Sequence, residues 1–187
     1  MVRCPRSSAI ARVVTPCIDK KLFNNVYDMK NILIFGNSGS GKSTLAKKIS
    51  SAEGLSHLDL DTLAWKPTSP PERMPLEESE IVISTFIKSN AGWVIEGCYS
   101  DLLEIAVPHS SEVIYLKLPV ESCISNAKNR PWEPHKYESK EAQDKNLDML
   151  LDWISQYSER TDTFSERAHS LLYDSFNGKK KMVTSNE

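Results

Sequence analysis

Gly36-Asn37-Ser38-Gly39-Ser40-Gly41-Lys42-Ser43-Thr44 has the residue types and spacing of a phosphate cradle. It fits G-x-x-x-x-G-K-[ST], in which glycines bring backbone amides close to anionic oxygens. Amides from Gly39 to Thr44 converge at the start of a helix, where the helix dipole also favours negative charge. Lys42 supplies a point charge for β- and γ-phosphates, and Thr44 a further donor for the α-phosphate. Ser43 offers a hydroxyl to Mg²⁺, a hard cation that prefers oxygen. A flexible loop before an ordinary capped helix is the alternative. The flanks speak against it: Asn31-Ile32-Leu33-Ile34-Phe35 reads as a buried strand, and Leu45, Ala46 and Ile49 recur at helical spacing. Nucleoside triphosphate binding follows.

Phosphoryl transfer also needs acids for Mg²⁺ or the acceptor, and cations around the γ-phosphate. Asp59 and Asp61 are two apart at the end of an alternating segment, Leu55–Asp61, so on a strand they face the same side. Asp59 is a candidate for holding Mg²⁺ with Ser43, and Asp61 for binding an acceptor hydroxyl; a cap on the following turn is the competing role. Glu96 closes the apolar run Gly92–Gly97, as a metal-ordering strand-end acid would. Arg130, with Lys128 and Lys136, lies in a proline-interrupted loop between helices, where a lid carries cations. Arg160 is a second catalytic candidate; it and Arg167 are seven apart and share a face if helical. Arg73 is a weaker candidate for gripping an acceptor. His57, His109, His135 and His169 form no spaced set, and each reads as structural; Trp65, Trp93, Trp132 and Trp153 read mainly as packing residues.

These residues need a scaffold, and the chain alternates strand and helix signals. A helix is expected over 76–88 and strands over 92–97 and 112–118. Further helices are expected over 120–129, 141–157 and 163–176, with a last short strand over 181–184. That pattern implies an α/β fold with a parallel sheet covered on both faces, ligands binding beyond the carboxyl ends of its strands. The 187 residues suffice for one domain with a sizeable core, and a net charge of −2 gives no global pull toward nucleic acid. No apolar run reaches the ~20 residues that span a bilayer. Cys4, Cys17, Cys98 and Cys123 lack metal or disulfide spacing, which fits a reducing, cytoplasmic setting. Residues 1–28 are basic until Asp19, and Met29 immediately precedes the first strand; they are expected to be a disordered extension outside a 29–187 domain.

The run Ile32–Ala46, with His57-Leu58-Asp59-Leu60-Asp61, Trp93–Ser100 and Asn129–Tyr137, resembles the adenylate-kinase-like P-loop proteins often labelled DNA topology modulation proteins. The resemblance spans about 29–185. It implies a nucleotide-kinase-like α/β/α fold with a five-stranded parallel sheet, a helical insert near 62–90 and a lid near 129–142. It also implies ATP and Mg²⁺ as cofactors, and Arg160-Thr161-Asp162 is similar to the Arg-x-Asp segment after the lid in nucleotide kinases. Adenylate kinases have a longer lid and a clearer arginine set, and related third strands often end in Asp where Glu96 stands, so the acceptor is left open. The expected function is ATP- and Mg²⁺-dependent phosphoryl transfer of the nucleoside/nucleotide-kinase type to a small nucleotide or metabolite, by a monomer or homodimer. A nucleotide-switched regulatory ATPase is the first alternative. A DNA-associated protein ranks last, because the chain beyond residue 28 has no basic stripe.

Overall fold

The computed structural model describes residues 30–68, 70–133 and 138–186. The expected extension over 1–28 and Lys136, with the 134–137 part of the expected lid, lies outside the described residues. A five-stranded, all-parallel sheet in the order β2-β3-β1-β4-β5 is built from β1 (Asn31–Gly36), β2 (Ser56–Asp59), β3 (Trp93–Gly97), β4 (Glu112–Leu116) and β5 (Lys179–Val183). Seven α-helices are described: α1 (Lys42–Glu53), α2 (Leu76–Ser89), α3 (Ser100–Ala106), α4 (Val120–Lys128), α5 (Lys140–Lys145), α6 (Leu147–Ser155) and α7 (Glu166–Ser175). The expected parallel α/β architecture is thus the observed one.

Strand alternation divides the core by face. Leu33, Phe35, Ile95, Val113 and Tyr115 pack with Leu60, Ile83, Leu102, Leu103 and Leu172 on one side. Ile32, Ile34, Val94, Ile114 and Leu116 pack under Ala46, Leu45 and Ile49 of α1 on the other. Because both faces are covered, β1, β3 and β4 read as continuous apolar runs rather than alternating ones. β5 is an edge strand bearing Lys179, Lys180 and Lys181, a composition that discourages pairing with another chain. It begins two residues before the expected 181, because Lys179 stands opposite Glu112 and pairs with it at 2.9 Å.

Four expectations on local structure need correction. Asp61 is not on a strand with Asp59: β2 ends at Asp59, and Leu60–Thr62 forms a 3₁₀ turn, capped by the Asp59 carboxylate accepting from the Asp61 amide at 2.9 Å. The expected helix over 141–157 breaks into α5 and α6 at Asn146, whose side chain donates to the Ala142 carbonyl at 3.0 Å. Arg160 and Arg167 share no helix face, since α7 starts only at Glu166, after Ser165 caps it by accepting from the Ala168 amide. Finally, α3 follows β3 where no helix was expected, its seven residues being too few to show periodicity.

Candidate functional site

The loop from Gly36 to Gly41 turns β1 into α1 through three glycines with positive φ, 147° at Gly36, 74° at Gly39 and 89° at Gly41. At Gly39 the requirement is also steric: a Cβ would sit 2.4 Å from the Cys123 carbonyl oxygen, so only glycine lets the loop lie against α4. Two side chains tie the loop to its surroundings. Asn126 of α4 donates to the Gly39 carbonyl at 2.9 Å, and Asn37 donates to the Ile154 carbonyl at the end of α6 at 3.1 Å. Both α4 and α6 are therefore anchored to the loop itself.

The cradle fits a phosphate. No side chain caps α1, so its first amides carry the helix's positive end into the loop. The buried Ser40 hydroxyl has no hydrogen-bond partner among the described residues. Nothing stands within 4 Å of the position a Cβ on Gly41 would take, so the mouth of the loop is open. The Lys42 ammonium donates to the Asn37 carbonyl at 2.9 Å, a neutral acceptor that an anion readily replaces.

The acids converge beside the cradle through strand register. Asp59 on β2, Glu96 on β3 and Ile34 on β1 stand in one row, on the face that α1 covers. That placement buries Glu96 to 1% exposure beneath the first turn of α1. Burial pushes its carboxyl up to about 7; Asp59 and Asp61 add to the rise, while Lys42 and the Ser43 hydroxyl oppose it. Glu96 Oε1 lies 3.8 Å from His57 Nε2, too far for a hydrogen bond. Burial also lowers His57, so the two are not an ion pair at neutral pH. A cation beside Ser43 would settle this excess of buried negative charge. Among the described residues no three His, Cys, Asp or Glu side chains are placed to hold a metal by themselves. The donor set thus suits Mg²⁺ that arrives with phosphates, the usual way that ion is held.

Across the crevice, Asp61 belongs to a polar chain that sequence reasoning missed. Tyr99 donates its hydroxyl to Asp61 at 2.7 Å and accepts from the Trp65 indole at 2.9 Å. Arg73 lies over the rings of Tyr99, Phe164 and Trp65 at 4.9, 5.2 and 5.5 Å, and pairs with Asp101 at 2.9 Å. Phe164 also meets Arg160 at 5.2 Å, whose guanidinium stacks on Trp153 at 3.2 Å and donates to Asp162 at 2.9 and 3.2 Å. Only 9% of the Arg160 side chain is exposed. Rings and carboxylates thus fix two guanidinium groups that the sequence shows only as scattered arginines.

Arg130 follows the end of α4, one turn beyond the residue that grips Gly39, and its Nη1 lies 3.4 Å from Glu133 within its own loop. The loop is held by Gln143 of α5, which accepts from the Glu133 amide at 2.9 Å and donates to the Pro131 carbonyl at 3.2 Å.

A family model described as an AAA domain matches residues 32–146. The uncharacterised protein YqaC of Bacillus subtilis (strain 168) is 29% identical over 138 residues, covering 68% of this chain and 72% of that protein. Shikimate kinase from Acinetobacter baumannii, in complex with shikimate, matches at 20% identity and TM-score 0.40 over 82% of this chain and 93% of its own. Deoxyadenosine kinase from M. mycoides with bound dATP matches at 15% identity and TM-score 0.38, over 82% and 90%. Such distant likenesses carry nothing about substrate. The AAA domain match runs from the first strand, through the Gly36–Thr44 cradle and the strand-end acids, to the break at Asn146, and the chain belongs to that family.

Proposed function

We propose that this protein is an ATP- and Mg²⁺-dependent phosphotransferase of the nucleoside/nucleotide-kinase type, acting on a small nucleotide or metabolite, with residues 29–187 as its working domain. The observation that carries the reading is an open, uncapped phosphate cradle with acids on one flank and the Asp61–Tyr99–Trp65 chain beyond them. The second wall offers polar groups to an acceptor beside the cradle.

In this reading the amides of Gly39–Thr44 and the Lys42 ammonium grip the phosphates. Mg²⁺ arriving with the nucleotide would neutralise phosphate charge; Ser43 would offer it a hydroxyl oxygen, and Asp59 and Glu96 would hold it from beside the cradle. Asp61, held by Tyr99, accepts a hydrogen bond from the acceptor hydroxyl and takes its proton as the oxygen bonds to the γ-phosphorus and ADP leaves. Arg130 and Arg160 add positive charge where it develops in the transition state.

The test is turnover of purified protein with ATP, Mg²⁺ and a panel of nucleosides, nucleotides and small hydroxyl metabolites. Acceptor-dependent ADP release with a phosphorylated product is expected. Slow hydrolysis indifferent to every acceptor would replace this reading with a nucleotide-driven switch.

A further inference from the structure

His169 on α7 is fully buried, yet it belongs to none of the catalytic roles above. Its ring sits among Phe35, Tyr157 and Tyr115, with centroids 5.7, 5.6 and 6.1 Å away. Nε2 lies 3.1 Å from the Cys98 carbonyl oxygen, and Nδ1 lies 2.7 Å from the Tyr157 hydroxyl. The Tyr157 hydroxyl is in turn 3.0 Å from that of Tyr115.

Chemistry fixes the direction of this chain. A carbonyl only accepts, so Nε2 carries the proton. Burial pushes His169 down to about 4, which leaves the ring neutral and Nδ1 a bare acceptor. Tyr157 must then donate to Nδ1, and Tyr115 must donate to Tyr157. Every proton is assigned and no buried polar atom in the run is stranded.

The chain ends at a place that matters for the reaction. The Cys98 carbonyl begins the peptide that carries Tyr99, whose hydroxyl holds Asp61 at 2.7 Å. The next amide, of Ser100, donates to the Thr163 carbonyl at 3.0 Å. Tyr157 lies three residues beyond Ile154, the carbonyl that Asn37 of the phosphate cradle grips. The segment 154–164 therefore touches the nucleotide wall at one end and the acceptor wall at the other.

We infer that His169 is a positioning residue: steadied at Nδ1 by the Tyr157 hydroxyl, it donates from Nε2 to fix the Cys98–Tyr99 peptide and aim the Tyr99 hydroxyl at Asp61. The inference rests on the phosphotransfer reading for its consequence, but its geometry can be tested without any acceptor. In the full chain, ¹⁵N NMR of labelled histidine should show His169 as the Nε2–H tautomer, without titration between roughly pH 5.5 and 8. Tyr157→Phe removes one hydroxyl and keeps the ring; Nδ1 loses its donor, so its ¹⁵N shift should move while the proton stays on Nε2, where the Cys98 carbonyl holds it. The Trp65 indole N–H resonance, which reports on the Tyr99 hydroxyl, should shift, while ATP affinity stays within about twofold, since no phosphate contact changes. His169→Gln, which keeps a donor toward Cys98, should leave the Trp65 resonance closer to wild type than His169→Leu does. With an acceptor in hand, Tyr157→Phe should raise the acceptor KM or lower kcat about tenfold at unchanged KM for ATP. An Nδ1–H tautomer in the wild type overturns the inference, and so does a Trp65 resonance unmoved in both Tyr157→Phe and His169→Leu. Loss of the phosphotransfer reading alone would appear instead as ATP hydrolysis indifferent to every acceptor, with the tautomer and the Trp65 shifts as stated.

Discussion

Lys42, the first residue of α1, and Glu96, buried beneath that helix's first turn, test different properties of the site. Among the described residues the Lys42 ammonium holds just a loop carbonyl, so Lys42→Ala costs the fold little. It should weaken ATP and ADP alike by about tenfold or more, measured by calorimetry, because the β-phosphate is common to both. Equal affinities in mutant and wild type would remove the phosphate-binding assignment. Glu96 makes a prediction about pH. Its carboxyl is raised from the usual 4.5 to about 7, so the folded state binds the proton more tightly than the unfolded chain does. The stabilisation is complete below about pH 4.5 and is lost as pH rises through about 7, a change of roughly 3 kcal/mol at most. His169, lowered to about 4, runs the opposite way, losing stability as pH falls from 6.5. The Glu96 signature is therefore the difference between wild type and Glu96→Gln in denaturant titrations across pH. The two should agree near pH 4.5, and the mutant should be the more stable at pH 8. A difference that does not vary with pH would mean that Glu96 is ionised throughout.

Helices and loops set where these side chains can act. Ser165 caps α7, the helix that presents His169, by accepting from the Ala168 amide at 3.1 Å. Ser165→Ala should cost ~1 kcal/mol of stability in chemical denaturation, the usual loss for a removed cap. A loss well below that would show that the neighbouring Asp162 turn holds the helix start by itself. Arg130 springs from the end of α4, which Asn126 ties to the phosphate loop. An arginine in a mobile lid contributes mainly when the γ-phosphoryl is in flight. Arg130→Ala should lower kcat by about a hundredfold or more and leave ADP affinity almost unchanged. Normal turnover in this variant would remove the lid from the mechanism and leave the cradle and strand-end acids to carry it.

At the scale of the molecule, the parallel strands put the cradle, Asp59, Glu96 and Cys98 together at the carboxyl ends of β1, β2 and β3. The first of them, Asn31 on β1, is held at its own start: its side chain donates to the His109 carbonyl at 2.9 Å and its amide to the Ser111 hydroxyl at 3.0 Å. A chain beginning at Met29 keeps these ties and every strand. It should retain the melting temperature and ATP affinity of the full chain, checked by calorimetry of the two side by side. A drop of several degrees would place residues 1–28 in the folded domain.

The amino-acid sequence by itself determined the glycine-rich turn from β1 into α1, because glycine spacing and the Lys42-Ser43 pair are local chemistry written in consecutive residues. It also determined the parallel α/β class, since apolar runs alternating with helical periods have few other ways to bury both faces. Edge strands and short helices were less legible: Lys179 of β5 finds its ion-pair partner only because Glu112 stands opposite, and the seven residues of α3 are shorter than two helical periods. Only the tertiary structure decided which side chains meet. Register set Asp59 beside Glu96, although 37 positions separate them (96 − 59). Folding brought Trp65, Arg73, Tyr99 and Phe164 into one cluster and closed the hydrogen-bond run from Tyr115 to Cys98. Such contacts depend on where the sheet edge and the crossing helices place distant backbone. A buried histidine or a lone arginine carries no sign of its partners until that packing is fixed.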